Sequence, residues 1–192
     1  MPSNQFNRTD VIVVGAGVMG CCAAWHLHQR GCKVLVLDSA GGPACQTTAS
    51  AAGFVGFHSA VHKLNWRENL AQIQFYSLDF YNRLAERNSA DIGFREVGIV
   101  YLFLTEAGFA THQMGIEPAR EYGATVEILT CKQAEELVPF VEYEQTEGII
   151  HVKEMARLRA GNAVRALVAE LDDAGVVFKY NSPVTEFLHD GK

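Results

Sequence analysis

The stretch DVIVVGAGVMGCCAAWHLHQRGCKVLVLD, residues 10–38, decides the fold. Its opening residues, Asp10–Val14, form a short β-branched run that is typical of a buried parallel strand. A glycine-rich turn follows, and Cys21–Arg30 has the composition of a helix that ends at Gly31. Lys33–Leu37 is a second apolar run. This order predicts a strand–helix–strand unit and therefore an α/β fold with a parallel sheet.

The turn between the first strand and the helix has the spacing Gly-x-Gly-x-x-Gly. The first glycine permits a tight turn, the second lets a pyrophosphate approach the backbone, and the third lets the helix pack closely on the strand. The helix N-terminus adds unpaired N–H groups and the positive end of a dipole. The pattern therefore predicts a Rossmann-like dinucleotide site. Its candidate contact residues are Gly15, Gly17, Val18, Met19 and Gly20.

An acidic residue follows the second strand at the distance that a ribose contact requires. Asp38 stands eighteen positions after Gly20 and is followed by Ser39. Its carboxylate is placed to accept hydrogen bonds from ribose hydroxyls and would repel a 2′-phosphate, which argues against an NADP-type ligand. The loop and the acid together serve FAD and NAD equally well. A glycine-rich turn in an unrelated α/β domain is the remaining alternative.

The stretch TTASAAGF, residues 47–54, favours FAD. With the glycine loop, it resembles the D-amino-acid oxidase superfamily of FAD-dependent oxidoreductases, especially its glycine oxidase and sarcosine oxidase-like members. The resemblance implies that Thr47 and Thr48 hold the pyrophosphate and the ribityl chain. The residues that it implies beside the isoalloxazine ring are Ala52, Gly53 and Phe54. A small-residue helix packed on the sheet is the alternative for this stretch.

The rest of the chain predicts further helices and strands. The predicted helices are Leu64–Asn88, Glu106–Tyr122 with a break near Pro118, Cys131–Leu137 and Ala160–Ala174. The predicted strands are Ile92–Glu96, Ile99–Leu104, Val126–Leu129, Gly148–Val152, Val176–Tyr180 and Val184–Leu188. Thr130 and Gln133 form a candidate capping box.

The resemblance also implies a domain organisation. Residues 1–90 would be the first segment of an FAD-binding domain, 91–150 part of an inserted α+β substrate domain, and 151–192 an incomplete return to the FAD-binding domain. Gly148–Val152 would mark the way back, and the backbone of Val184 would contact adenine. Arg159 and Ala160 depart from the family pattern, which has an acidic residue and a proline there.

The amino-acid composition restricts the classes of partner and the cellular compartment that we expect. The net charge of −6 argues against nucleic acid and acidic membrane surfaces, and the first apolar run is too short to span a membrane. The five cysteines lack CxxC spacing, as expected of reduced thiols, and His58 and His62 have no third metal ligand nearby. We therefore predict no metal site and a cytoplasmic location.

The C-terminal residues suggest an incomplete protein. Asp190-Gly191 is a hairpin turn signal after a predicted strand, and no partner strand follows it. We expect a truncated chain, or one whose missing half comes from a partner subunit. Assembly into a homo-oligomer is a further alternative. In the family, the residues that bind the substrate carboxylate and surround the flavin come from the C-terminal half. No catalytic residue can therefore be assigned.

The resemblance implies oxidation of a C–N bond in a small amino acid or secondary amine by hydride transfer to the flavin. Two alternatives remain open. One is oxidation of a C–O bond, as in relatives that act on glycerol 3-phosphate or 2-hydroxyacids. The other is a non-catalytic FAD-binding subunit or fragment.

Overall fold

The computed structural model describes residues 9–56, 68–88 and 91–188. Its helices are α1 (Val18–Gln29), α2 (Glu68–Arg87), α3 (Glu106–Gln113), α4 (Ile116–Glu121), α5 (Cys131–Leu137) and α6 (Ala160–Asp173). Its strands are β1 (Val11–Val14), β2 (Val34–Leu37), β3 (Phe54–Gly56), β4 (Arg95–Glu96), β5 (Ile99–Phe103), β6 (Val126–Ile128), β7 (Gly148–Val152), β8 (Met155–Arg157) and β9 (Val177–Lys179). Thr47–Ser50 forms a 3₁₀ turn.

The chain divides into two compact units. The first unit comprises the described residues of Met1–Ala52, Leu84–Gly93 and Arg159–Lys192. The second unit comprises those of Gly53–Arg83 and Phe94–Leu158. These ranges differ from the domain boundaries expected at residues 90 and 150, and the assignment of functional domains stays a prediction.

The first unit is built on a parallel sheet in the order β1-β2-β9. α1 packs against β2 and α6, which places Val34 and Val36 in the core together with Ala24 and Leu167. Burial of these β-branched residues against two helices stabilises the sheet from one side. The parallel strand–helix–strand unit predicted from residues 10–38 is confirmed.

The second unit contains two antiparallel sheets, each of three strands. Their orders are β3-β8-β4 and β5-β7-β6. Alternate residues of β7 face opposite sides, so that Ile150 and Val152 enter one apolar cluster and Ile149 enters another. Strand β7 was predicted, and it lies at the centre of the sheet β5-β7-β6. Its expected place on the way back to the FAD-binding domain stays a prediction.

Several predicted elements are confirmed and others are wrong. The capping box of Thr130 and Gln133 forms as predicted at the start of α5. The helix expected over 106–122 is broken as predicted, but the break lies at Met114 and Gly115 rather than near Pro118. Pro118 is the third residue of α4, where a missing N–H removes no intrahelical hydrogen bond.

Two further differences concern the predicted strands and the small-residue stretch. No strand forms at Val184–Leu188 in the described part of the chain, where that segment is irregular and largely exposed. The small-residue helix considered for residues 47–54 is wrong, because a 3₁₀ turn and β3 occupy that stretch. Gly53 has φ +77°, and a Cβ there would lie 1.9 Å from the carbonyl oxygen of Leu158. Only glycine allows β3 to begin at this point.

Within the described ranges, no helix combines the length and the apolar character needed to cross a bilayer.

Candidate functional site

The glycine loop joins β1 to α1 and depends on the absence of side chains. Gly15 has φ +104°, and its N–H donates to the carbonyl of Leu37 at 2.7 Å. A Cβ at Gly20 would lie 1.8 Å from the carbonyl oxygen of Gly15. Helix α1 can therefore begin directly against the turn only with glycine at position 20. The first N–H groups of α1 have no carbonyl partner within the helix, which is the arrangement that binds phosphate groups.

Thr48 supports this loop from the 3₁₀ turn. Its Oγ1 accepts a hydrogen bond from the backbone N–H of Val18 at 3.1 Å, and the side chain is buried. A Cβ at Gly17 would lie 3.2 Å from the same oxygen. Because the hydroxyl accepts from Val18, its own hydrogen remains available for donation to an anion. Thr48 thus fixes the start of α1 and brings a donor to it, whereas Thr47 is exposed.

Asp38 closes the loop from the end of β2. Its Oδ2 accepts from the N–H of Ala16 at 2.5 Å, and its Oδ1 accepts from the N–H of Ala40 at 2.7 Å. Each carboxylate oxygen keeps a second lone pair that can accept from a hydroxyl. The two N–H donors stabilise the negative charge beside the loop. The arrangement suits a vicinal diol and repels a further phosphate at that position.

The loop after β2 is held by residues that sequence reasoning missed. The N–H of Asn181, which has φ +52°, donates to the carbonyl of Ala40, and the N–H of Ser182 donates to the carbonyl of Asp38. The Asn-Ser pair after β9 is a turn signal that could have been noticed. The hydrogen-bond partners of this pair could not have been predicted, because they are backbone carbonyls that come close to Asn181 and Ser182 only in the tertiary fold.

The structure brings together only some of the predicted site residues. Hydrogen bonds and packing link the glycine loop, Asp38 and Thr48 in the first unit. Ser39 and Ala52 are exposed in the same unit, and Val184 is half-buried in an irregular segment. Gly53 and Phe54 belong to the second unit. The contacts of all these residues with a cofactor stay predictions.

Cys21 is a packing residue of α1. Burial, followed by the neighbouring Cys22 and Asp38, raises the pKa of its thiol to about 12. At neutral pH this thiol is protonated and a poor nucleophile. In the part of the chain that the structure covers, no cluster of potential metal ligands occurs, while His58 and His62 lie outside the described residues.

The chain matches one known protein family and resembles several known proteins. The model of the DAO family, FAD dependent oxidoreductase, matches residues 10–192. The 4-methylaminobutanoate oxidase (formaldehyde-forming) of Paenarthrobacter nicotinovorans is 26% identical over 180 residues, which are 94% of this chain and 21% of that protein. The chain thus spans about a fifth of this curated relative.

Solved structures share the fold. The L-proline dehydrogenase from P. horikoshii superposes with a TM-score of 0.84 at 18% identity, over 96% of this chain and 47% of that one. Glycine oxidase from Bacillus cereus ATCC 14579 gives a TM-score of 0.76 at 20% identity, over 96% of this chain and 49% of that one. The predicted fold class and family resemblance are confirmed, and the chain corresponds to about half of each of these structures.

Proposed function

Because the chain belongs to the FAD dependent oxidoreductase family, we propose that it binds FAD at the glycine loop of the first unit. The observation that carries this proposal is the hydrogen-bonded set formed by the loop, Asp38 and Thr48. The N-terminus of α1 and the Thr48 hydroxyl would bind the pyrophosphate, and the Asp38 carboxylate would bind the ribose. Further contacts are proposed for Ser39, Thr47, Ala52, Gly53, Phe54 and Val184.

The reaction proposed for the whole protein is oxidation of a C–N bond in a small amino acid or secondary amine. When bound, FAD would supply the hydride acceptor. The residues of this chain would bind and orient it, and the remaining residues of the reaction site are not assigned. The relatives support the substrate class, since their names refer to 4-methylaminobutanoate, proline and glycine, each an amine that carries a carboxylate.

Cofactor identity can be tested by competition. The purified chain is titrated into FAD while fluorescence anisotropy is followed, and FMN, NAD and NADP are then added as competitors. We expect FAD to bind and NADP to compete least, because its 2′-phosphate would meet the Asp38 carboxylate. Binding of NAD without binding of FAD would refute the proposal.

The class of bond can be tested under anaerobic conditions on FAD-loaded protein that also contains the residues expected after Lys192, because we expect this chain alone to be inactive. An N-methyl amino acid should bleach the flavin absorption near 450 nm, and glycerol 3-phosphate should leave it unchanged. The opposite pattern would favour C–O oxidation. If that longer protein binds FAD and neither compound bleaches it, the result would support the third possibility, a cofactor-binding subunit without its own activity.

The cytoplasm is the compartment we propose, supported by five free cysteines. The chain spans about half of the solved relatives, which supports either a longer protein or a partner that provides the rest.

A further inference from the structure

A groove in the second unit lies between helix α5 and the loop that follows it. Its volume is about 710 Å³, and its lining comes entirely from residues 131–144. Tyr143 lines it as a buried residue, whereas Cys131 and Phe140 are exposed. The whole segment belongs to the second unit, so the groove is formed by one compact part of the fold. We call it the α5 groove.

Hydrogen bonds hold the shape of the α5 groove. The Tyr143 hydroxyl donates to the carbonyl oxygens of Ala134 and Val138, at 3.2 and 3.0 Å. The loop is thereby tied back to the helix that precedes it. Tyr143 also packs in an apolar cluster with Ala134 and Ile149. A surface that is ordered before binding loses less conformational entropy when a partner binds.

Apolar side chains at the α5 groove are open to solvent. Phe140 is 87% exposed, and Leu137, the last residue of α5, is 52% exposed. Val141, which also lines the groove, is half-buried. Exposed apolar surface with a polar rim is typical of interaction sites, and aromatic residues are enriched at the centres of such sites. Phe140 is therefore the candidate anchor for a partner.

Acidic side chains surround this apolar surface. Glu135, Glu142 and Glu144 line the groove, and all three are exposed. None of them forms an ion pair within the described ranges, where six other ion pairs occur. Residues 130–147 contain five glutamates and only one basic residue, Lys132. The local field is therefore negative and attracts a positively charged partner.

We propose that the α5 groove binds a segment of another protein that is rich in lysine and arginine and contains an apolar side chain. The basic side chains would pair with the glutamates of the rim, and the apolar side chain would cover Phe140. An arginine could also stack on the Phe140 ring. A second copy of this chain is a less suitable occupant, because each copy has a net charge of −6. This inference goes beyond the proposed function and does not depend on it.

The first test measures the binding of two fluorescently labelled peptides by anisotropy at low ionic strength. One peptide has three repeats of Lys-Leu-Arg, and the other has three repeats of Lys-Ser-Arg. We expect the leucine peptide to bind at least about fivefold more tightly, because only its side chains can cover Phe140. Added sodium chloride should weaken the binding of both. Equal affinities, or no binding of the leucine peptide, would overturn the proposal.

The second test locates the binding surface with variants of exposed residues. Phe140→Ser and the double variant Glu142→Gln, Glu144→Gln should each weaken binding of the leucine peptide by about fivefold or more, because one removes the anchor and the other removes two rim charges. Circular dichroism should show that both variants fold as the wild type does. Unchanged affinity in either variant would contradict the assigned surface.

Matched controls change the same chemistry elsewhere in the second unit. Leu104→Ser removes an apolar side chain that is 71% exposed, and the double variant Glu106→Gln, Glu121→Gln removes two exposed carboxylates. Both controls should bind the leucine peptide within about twofold of the wild type. An equal loss in the second control would show that the peptide responds only to the overall negative charge, and this would overturn the proposal.

Two further measurements examine other occupants of the groove. Sedimentation velocity should give the same result for the wild type and Phe140→Ser, whereas association that this variant abolishes would assign the groove to a second copy. A longer protein with the residues expected after Lys192 should bind the leucine peptide as this chain does. Loss of that binding would show that the rest of the protein covers the groove. Either of these contrary results would overturn the proposal.

Discussion

Thr48 shows how a single hydroxyl can organise a loop. It accepts from Val18 at the first turn of α1, while Thr47 beside it is exposed. Thr48→Val keeps the shape but leaves a partly buried N–H without an acceptor, so we expect the free energy of unfolding to fall by about 1–3 kcal/mol. Urea denaturation followed by circular dichroism measures this. Thr47→Val is the matched control and should change stability by less than about 0.5 kcal/mol. Equal losses in the two variants would contradict the assigned contact.

The thiols of the chain should differ in reactivity. Cys21 is buried, with its pKa raised to about 12, whereas Cys45 and Cys131 are exposed. In the folded chain at pH 8, iodoacetamide should label the two exposed thiols at least about tenfold faster than Cys21, because only thiolates react. Mass spectrometry of tryptic peptides measures the rates. Equal labelling of Cys21 under native conditions would show that α1 is not packed as described.

At this scale the sequence predicted residue types better than contacts. Asp38 was expected as a ribose ligand, and its position at the end of β2 follows directly from the strand–helix–strand pattern. Its bonds to the N–H groups of Ala16 and Ala40 could not be predicted, because backbone groups leave no signal in residue identity. The alignment of Phe54, Arg157 and Arg95 across the sheet β3-β8-β4 was missed for a similar reason, since the register of three short strands creates it.

Elements were predictable where local pattern determines them. Helix α6 has apolar spacing along its length and Gly175 with φ +89° at its end, so its predicted range differs from the observed one by a single residue. Strands β3 and β8 have three residues each, too few for an alternating pattern, whereas β4 lies within the predicted strand Ile92–Glu96. Pairing with distant parts of the chain creates them. The break over 106–122 falls at Met114 and Gly115 rather than near Pro118, because proline is tolerated in the first turn of a helix.

A charge contact between β6 and the residue that follows β7 should depend on pH. Glu127 accepts from Lys153, with Nζ to Oε1 at 2.8 Å, and this contact and the nearby His151 lower the pKa of its carboxyl from the usual 4.5. A lowered pKa stabilises the folded state above pH 4.5 and ceases to do so as the pH falls through the folded value.

Glu127→Gln should therefore lower the unfolding midpoint at pH 7 and have less effect at pH 3. We expect the free energy of unfolding at pH 7 to fall by less than about 1 kcal/mol, since Glu127 is 41% exposed and solvent screens the contact. The control is Glu136→Gln, because Glu136 is exposed and forms no ion pair within the described ranges. A larger effect of Glu127→Gln at pH 3 than at pH 7 would contradict this account.

For the whole molecule, one face of the parallel sheet of the first unit is partly exposed at β1 within the described residues. Ile12 and Val14 of β1 are 57% and 53% exposed, whereas parallel sheets are usually buried on both faces. An apolar surface of this kind promotes association. The double variant Ile12→Thr, Val14→Thr should fold and should associate less in sedimentation velocity experiments at high concentration. Unchanged association would show that another surface causes it.

We propose above all that the glycine loop, Asp38 and the segment 47–54 bind FAD. Amide hydrogen exchange with and without FAD, read by mass spectrometry, tests it most directly. We predict that FAD slows exchange in peptides covering residues 14–20, 38–40 and 47–54, because the ligand occupies those N–H groups and restricts local opening. A folded chain in which FAD leaves these peptides unprotected, or protects only peptides elsewhere, would contradict the account.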